Sequence, residues 1–197
     1  MSQKELSKYS RYTLSRKTLE RVFSQVVKKF EHEERMGFGD FVWFILCVED
    51  KTTEQSIEFW FKVMDLDGNG IITGYELEYF YEEQSQRLAY MESNLDFNFE
   101  NIVCQMVDVF KPANGIQFTL EDFLKRRSDC SNFINMLTDL NKLIGFENRD
   151  AYEERSVKAE NPDWTEWDRF VKPEYRRIES SQDNDDGGEV LNWENDD

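Results

Sequence analysis

Cysteine, histidine, basic charge and long apolar runs are all in short supply here, and each shortage narrows what the chain can be. The 197 residues hold three cysteines, Cys47, Cys104 and Cys130, odd in number, widely spaced and outside any C-x-x-C pair. None has the electropositive neighbours a reactive thiolate needs, so all three read as buried free thiols. The single histidine, His32, sits between Glu31 and Glu33 on a stretch that looks solvated, which sets aside metal or catalytic work for it. No run approaches the ~18 to 20 apolar residues of a membrane span, and Met1-Ser2-Gln3-Lys4-Glu5 has no apolar stretch like that of a signal peptide. The expected address is cytoplasmic, with nuclear or cytoskeletal association open. Lys and Arg total 24 against 41 Asp and Glu, a net charge of −17 that argues against nucleic acid as a partner. The acid excess serves either solubility and self-repulsion or the attraction of divalent cations. There is no nucleophile and base arrangement and no phosphate-cradling glycine loop, so no catalytic residues and no enzyme are expected.

What remains is apolar enough to fold. With 39% hydrophobic and 15% aromatic residues the chain is too greasy for disorder, while 33% charge fits a soluble globular protein of one generous domain or two small ones. The periodicity is helical throughout, which predicts an all-α class. Leu19, Val22, Phe23, Val26, Val27 and Phe30 predict one amphipathic helix with Ser15 near its N-cap. Phe41-Val42-Trp43-Phe44-Ile45-Leu46 is too dense for a one-sided surface helix and is either central core or a docking face. Ile57, Trp60, Phe61 and Met64 form a stripe ending at Asp65, and Leu77, Phe80, Tyr81 and Leu88 resume the same spacing. Phe99, Ile102, Val103, Met106 and Phe110 follow, broken by Pro112 and Gly115, with a short helix from Leu120. Phe133, Leu137, Leu140 and Ile144 predict one further helix. Asn161-Pro162-Asp163 predicts a helix capped by Asp163 and carrying Trp164, Trp167, Phe170 and Val171, which either clamps onto the domain or seats a partner.

The chemistry sits between the third and fourth stripes. Asp65-Leu66-Asp67-Gly68-Asn69-Gly70-Ile71-Ile72-Thr73-Gly74-Tyr75-Glu76 fills the twelve-residue EF-hand calcium loop at every diagnostic position. Calcium takes six to eight hard oxygens. Asp65, Asp67 and Asn69 offer side-chain oxygens at alternate positions, Gly70 permits the sharp turn, and the Ile71 carbonyl then faces the ion. Thr73 is expected to act through a water. Glu76 closes the shell with two oxygens from the first turn of the exit helix, which suits roomy calcium coordination better than the tight octahedron of magnesium. One Ca2+ ion is expected.

Such loops pair through a short strand contact at the eighth position, here Ile72. Lys111 to Asp122 is the preferred mate, with Phe118 eighth and Asp122 twelfth, and no calcium of its own, because Lys111, Ala113 and Gly115 offer no side-chain carboxylate. Lys29 to Asp40, with Met36 and Asp40 in those places, is a second relic without ligands. Asp183 to Glu194 repeats the acid and glycine spacing, but the sequence given stops at Asp197 with no exit helix, and it is read as coincidence. The expected organisation is a helical region with a degenerate unit over 1–50, an EF-hand pair over 51–145, a Trp-rich extension over 146–178 and a disordered acidic tail over 179–197.

Several blocks carry a resemblance: Asp40-Phe41-Val42-Trp43-Phe44-Ile45 with Glu49-Asp50-Lys51, Ser56-Ile57-Glu58-Phe59-Trp60-Phe61 running into Met64-Asp65-Leu66-Asp67-Gly68, and Glu78-Tyr79-Phe80-Tyr81-Glu82-Glu83-Gln84. Cys104-Gln105-Met106, Thr119-Leu120-Glu121-Asp122 and Asn161-Pro162-Asp163-Trp164-Thr165-Glu166-Trp167-Asp168-Arg169-Phe170 extend it. Together they resemble the B-double-prime regulatory subunits of protein phosphatase 2A, the last block most like the plant-type members. The resemblance implies a calcium-responsive subunit that binds the phosphatase scaffold and catalytic subunits and steers the choice of phosphoprotein substrates. It also implies Asp65, Asp67, Asn69, Ile71 and Glu76 as the metal ligands. Members of that family usually carry a long N-terminal region with an earlier EF-hand, so the resemblance implies a fragment or a shortened relative. A stand-alone EF-hand sensor that captures an amphipathic target helix is the other reading.

Overall fold

The computed structural model describes residues 1–8, 13–32, 35–91, 97–148, 156 and 159–185, with side chains as far as 179. The elements are α1 (Gln3–Leu6), α2 (Arg16–Phe23), α3 (Phe38–Glu49), α4 (Glu54–Met64), β1 (Ile71–Thr73), α5 (Gly74–Tyr90), α6 (Phe99–Phe110), β2 (Gln117–Thr119), α7 (Leu120–Lys125), α8 (Arg127–Thr138), α9 (Leu140–Glu147) and α10 (Glu166–Asp185). The helix starts are chemically marked. Ser15, Thr53, Asn98, Thr119 and Asp139 each accept an N–H from the first turn of the helix they precede, which satisfies donors the helix cannot.

Four helical expectations are corrected. The stripe from Leu19 to Phe30 is not one helix, since α2 stops at Phe23 and Gln25 takes φ 57°, in the left-handed region. Val26 leaves the stripe and is 71% exposed. The segment then folds around Asp40, whose buried carboxylate accepts from Lys28 Nζ (2.8 Å) and from the N–H groups of Glu31 (3.0 Å) and Gly37 (3.2 Å). The stripe from Phe133 to Ile144 is split at Asp139, which caps α9. That break is pinned by the segment at 13–15: Ser15 N–H donates to Thr138 O, Leu140 N–H to Thr13 O, and the Thr13 hydroxyl to the Asp139 carboxylate. The cap of the last helix is Thr165 and not Asp163, because Thr165 and Asp168 exchange hydrogen bonds in a capping box. That helix continues to Asp185, past the point at 179 where a disordered tail was expected, while 186–197, with most of the second acidic motif, lie outside the described residues. Cys104 is exposed, not buried, because it falls off the α6 stripe defined by Ile102, Val103, Met106 and Phe110.

The core lies between α4, α5 and the helices after β2. Trp60 is fully buried, with its indole N–H on the Cys47 carbonyl (2.7 Å), which also accepts the Ser56 hydroxyl (2.9 Å). The dense run divides: Phe44 and Ile45 are buried, whereas Val42 and Leu46 remain about two-fifths exposed. Trp167 of α10 packs on the core beside Trp43, Leu46 and Cys47. Beneath the ribbon, Phe110 stacks on Phe123 (4.6 Å between centroids) and meets Phe118 and Phe133, and Phe61 of α4 meets Phe123 edge-on. The two strands pair antiparallel, with Ile72 opposite Phe118 and both fully buried. This apolar floor fixes the segment before β1 relative to the aromatic cluster.

Candidate metal centre

Residues 65–76 join the end of α4 to the start of α5. Asp65 is the C-cap of α4 and leaves the helix with φ −71°, ψ 93°. Its carboxylate turns into the loop: Oδ1 accepts from Gly68 N–H (2.8 Å) and Asn69 N–H (3.1 Å), and Oδ2 from Gly70 N–H (2.9 Å). Gly70 has φ 81°, a conformation that a side chain would strain. At the far end Glu76 lies in the first turn of α5. Its Oε1 accepts from Leu66 N–H (2.7 Å), and Oε2 from the Thr73 N–H (2.8 Å) and hydroxyl (3.0 Å). Thr73 and Glu76 thus form a capping box that aims the carboxylate back across the loop.

Of the five sequence-derived ligand residues, the three acids converge. One carboxylate oxygen from each of Asp65, Asp67 and Glu76 lies within 4.8 Å of the other two. Asn69 is tied to Asp67 through its side-chain amide (2.8 Å) and accepts Ile71 N–H (2.7 Å), and Ile71 opens β1. Thr73 spends both of its donors on Glu76. Asp65 and Glu76 are 5% and 4% exposed, and among the described residues no Lys or Arg side chain forms an ion pair with the three acids. Asp67 is exposed, so the cost of desolvation without a compensating cation falls on Asp65 and Glu76, while all three carboxylates repel one another at this spacing. Their hard oxygen donors suit calcium, and the site fits that ion.

Arg21 is a participant that motif spacing did not indicate. Its Nη2 donates to the Asp65 carbonyl at 2.7 Å, from 44 residues upstream. Loop 111–122 repeats the exit geometry without the three converging acids. Thr119 and Asp122 form the same capping box as Thr73 and Glu76, while Lys111, at the first position, takes φ 50°. The described residues contain no second cluster of three such acids.

No protein-family model matches the chain. Among curated proteins it is 42% identical over 198 residues to an Arabidopsis thaliana protein described as a probable B''delta regulatory subunit of serine/threonine protein phosphatase 2A, covering 98% of this chain and 36% of that one. It is 40% identical over 182 residues to the Homo sapiens B'' alpha regulatory subunit of the same phosphatase, covering 90% of this chain and 16% of that one. A solved structure described as a PP2A PR70 holoenzyme and labelled diCa superposes with a TM-score of 0.66 at 41% identity, over 73% of this chain and 52% of that chain. The chain spans about a third of the length of the plant relative and less of the human one. These relatives are named regulatory subunits of a phosphatase and not catalytic enzymes. Over nearly all of its length, the chain is homologous to a segment of the B'' regulatory subunits of protein phosphatase 2A.

Proposed function

We propose that this chain is a calcium-binding regulatory segment of protein phosphatase 2A. One Ca2+ ion is held by the side chains of Asp65, Asp67, Asn69 and Glu76 and the carbonyl of Ile71, with loop 111–122 as its ligand-free EF-hand mate. Bound there, the ion supplies the positive charge that the three converging acids call for. The chain's own residues do the rest. Asp65 and Glu76 draw the end of α4 and the start of α5 into one turn, and the Thr73 capping box keeps the Glu76 carboxylate aimed inward. The helices so ordered contribute to contact with the phosphatase scaffold and catalytic subunits, and thereby to the choice of phosphoprotein substrates.

One observation carries this reading: a sequence 42% identical to a named B'' protein of that phosphatase also converges three carboxylates, two of them buried, on a single loop. The test is a pull-down of the chain with purified scaffold and catalytic subunits, in calcium and in chelator, beside calorimetry with calcium alone. Retention of the subunits, stronger with calcium, is the expected result. No heat on titration overturns the metal assignment, and no retention under either condition overturns the regulatory one.

A further inference from the structure

Helix α2 is gripped at both ends by the two helices that flank the loop. At its last turn the Arg21 guanidinium donates to three carbonyls where α4 closes: Nε to Val63 (3.2 Å), and Nη2 to Lys62 (3.1 Å) and Asp65 (2.7 Å). A helix end leaves such carbonyls without intrahelical partners, so a forked cation satisfies them well. At its first turn the N–H groups of Arg16 and Lys17 donate to the Glu83 carboxylate at 2.6 and 2.8 Å. An anion at a helix N-terminus is favoured by the dipole as well as by the bonds. The Lys17 ammonium adds bonds to the Tyr79 carbonyl and the Glu82 carboxylate. Tyr79, Glu82 and Glu83 all belong to α5. Between the grips, Leu19 and Val22 are buried in the core.

We propose that Arg21 is a positioning residue of the metal centre and that α2 is a strap across the helix pair. Through Arg21, α2 holds the backbone of Asp65, the first loop position, and through Glu83 it holds the exit helix. The angle between α4 and α5 cannot change without releasing the Arg21 fork or the Glu83 grip. Loop occupancy is therefore felt as ordering of α2, and not as a free swing of α5. This rests on the calcium reading above and deepens it. Lysine at position 21 is a poor substitute, because a single ammonium lacks the planar fork.

The test uses the full chain, with amide hydrogen exchange followed by mass spectrometry in calcium and in chelator, and calorimetry with calcium. In the unaltered chain calcium slows exchange over 16–23 together with the loop 65–76. Arg21→Ala binds calcium about tenfold more weakly, the loss expected for bonds to a charged group, and α2 no longer responds while the loop still does. Arg21→Lys falls between, and Glu83→Gln, at the other end, also uncouples α2. Should Arg21→Ala fail to fold, Arg21→Lys, Glu83→Gln and the unaltered chain still decide the matter. If calcium binds the unaltered chain and leaves exchange over 16–23 unchanged, or if both Arg21 variants keep full affinity and α2 protection, the strap is overturned and the calcium reading stands. If the unaltered chain takes up no calcium, that reading falls and the strap with it.

Discussion

Replacing Glu76 by glutamine separates the electrostatic role of that residue from its role as a cap. The carboxylate accepts three hydrogen bonds, one on Oε1 from Leu66 N–H and two on Oε2 from Thr73. A glutamine keeps the Thr73 pair if its carbonyl faces that way, but its NH2 then confronts the Leu66 N–H, and one part-buried donor loses its partner at a cost toward the low end of ~1–3 kcal/mol. Without the ion, relief of repulsion among the three clustered acids offsets part of that cost. With the ion there is no such relief: a formal charge and a ligand oxygen are gone, and ~1.5–3 kcal/mol of interaction with a charged partner corresponds to about 10- to 100-fold weaker binding. At a calcium concentration one hundred times the native Kd, the native chain gains about 2.7 kcal/mol from ion binding, and the variant about 0.4–1.4 kcal/mol. For a chain of this size 1 kcal/mol moves Tm by about 2–4 °C, so the native calcium-induced rise of about 5–10 °C shrinks to less than about 6 °C. Thermal melts read by circular dichroism, in calcium and in chelator, measure both arms. A Glu76→Gln chain that keeps the full native rise refutes the reasoning.

Two further outcomes follow from burial. Lys51 is fully enclosed, with its ammonium on the Val48 carbonyl (2.5 Å) and over the Trp60 ring, and burial, joined by the nearby Lys142 cation, holds its pKa well below the ordinary 10.5. A depressed base binds fewer protons folded than unfolded, so stability rises with pH between the lowered value and 10.5. Lys51→Met flattens that rise and leaves the chain as stable or more stable at pH 7; melts at pH 7 and pH 9.5 showing a large loss, or an unchanged slope, contradict this. Burial pushes the Cys47 and Cys130 thiols up to about 12, while Cys104 is exposed. A thiol reagent on the native chain near pH 8 modifies Cys104 alone and all three cysteines after denaturation, which peptide mass spectrometry checks; fast native labelling of Cys47 or Cys130 speaks against the packing described.

Local chemistry in the sequence indicated much of this arrangement, and long-range chemistry little of it. Ile57, Trp60, Phe61 and Met64 predict the buried face of α4, and Ser15 the start of α2, because periodicity and caps act within a turn or two. Where helices end was harder to read. The hydrophobic spacing from Leu19 to Phe30 persists beyond Gln25, but the backbone turns there to let Lys28, Glu31 and Gly37 converge on Asp40. Similarly, Leu140 and Ile144 sit in register with Phe133 and Leu137, and only contacts with Thr13 and Ser15, more than a hundred residues away in the chain, break the helix at Asp139. The acids and glycines of 65–76 were plain from spacing. The Arg21 fork was not, since an arginine on an amphipathic helix carries no mark of which carbonyls it will find. Thr73 illustrates an ambiguous sign: the T-x-x-E pattern is both a loop position and a capping box, and in the structure the cap uses its donors.

Loop 111–122, which lacks the acid cluster, has a consequence for what happens on loss of the proposed ion from loop 65–76. Its exit turn is locked by Thr119 and Asp122, and its strand rests on stacked phenylalanines, neither of which depends on a cation. Stripping the metal would therefore slacken only one half of the ribbon. The other half would persist as a ready-made edge, with Phe118 marking the register at which Ile72 must land, so that reloading becomes a matter of docking against a standing template and not of building two turns at once.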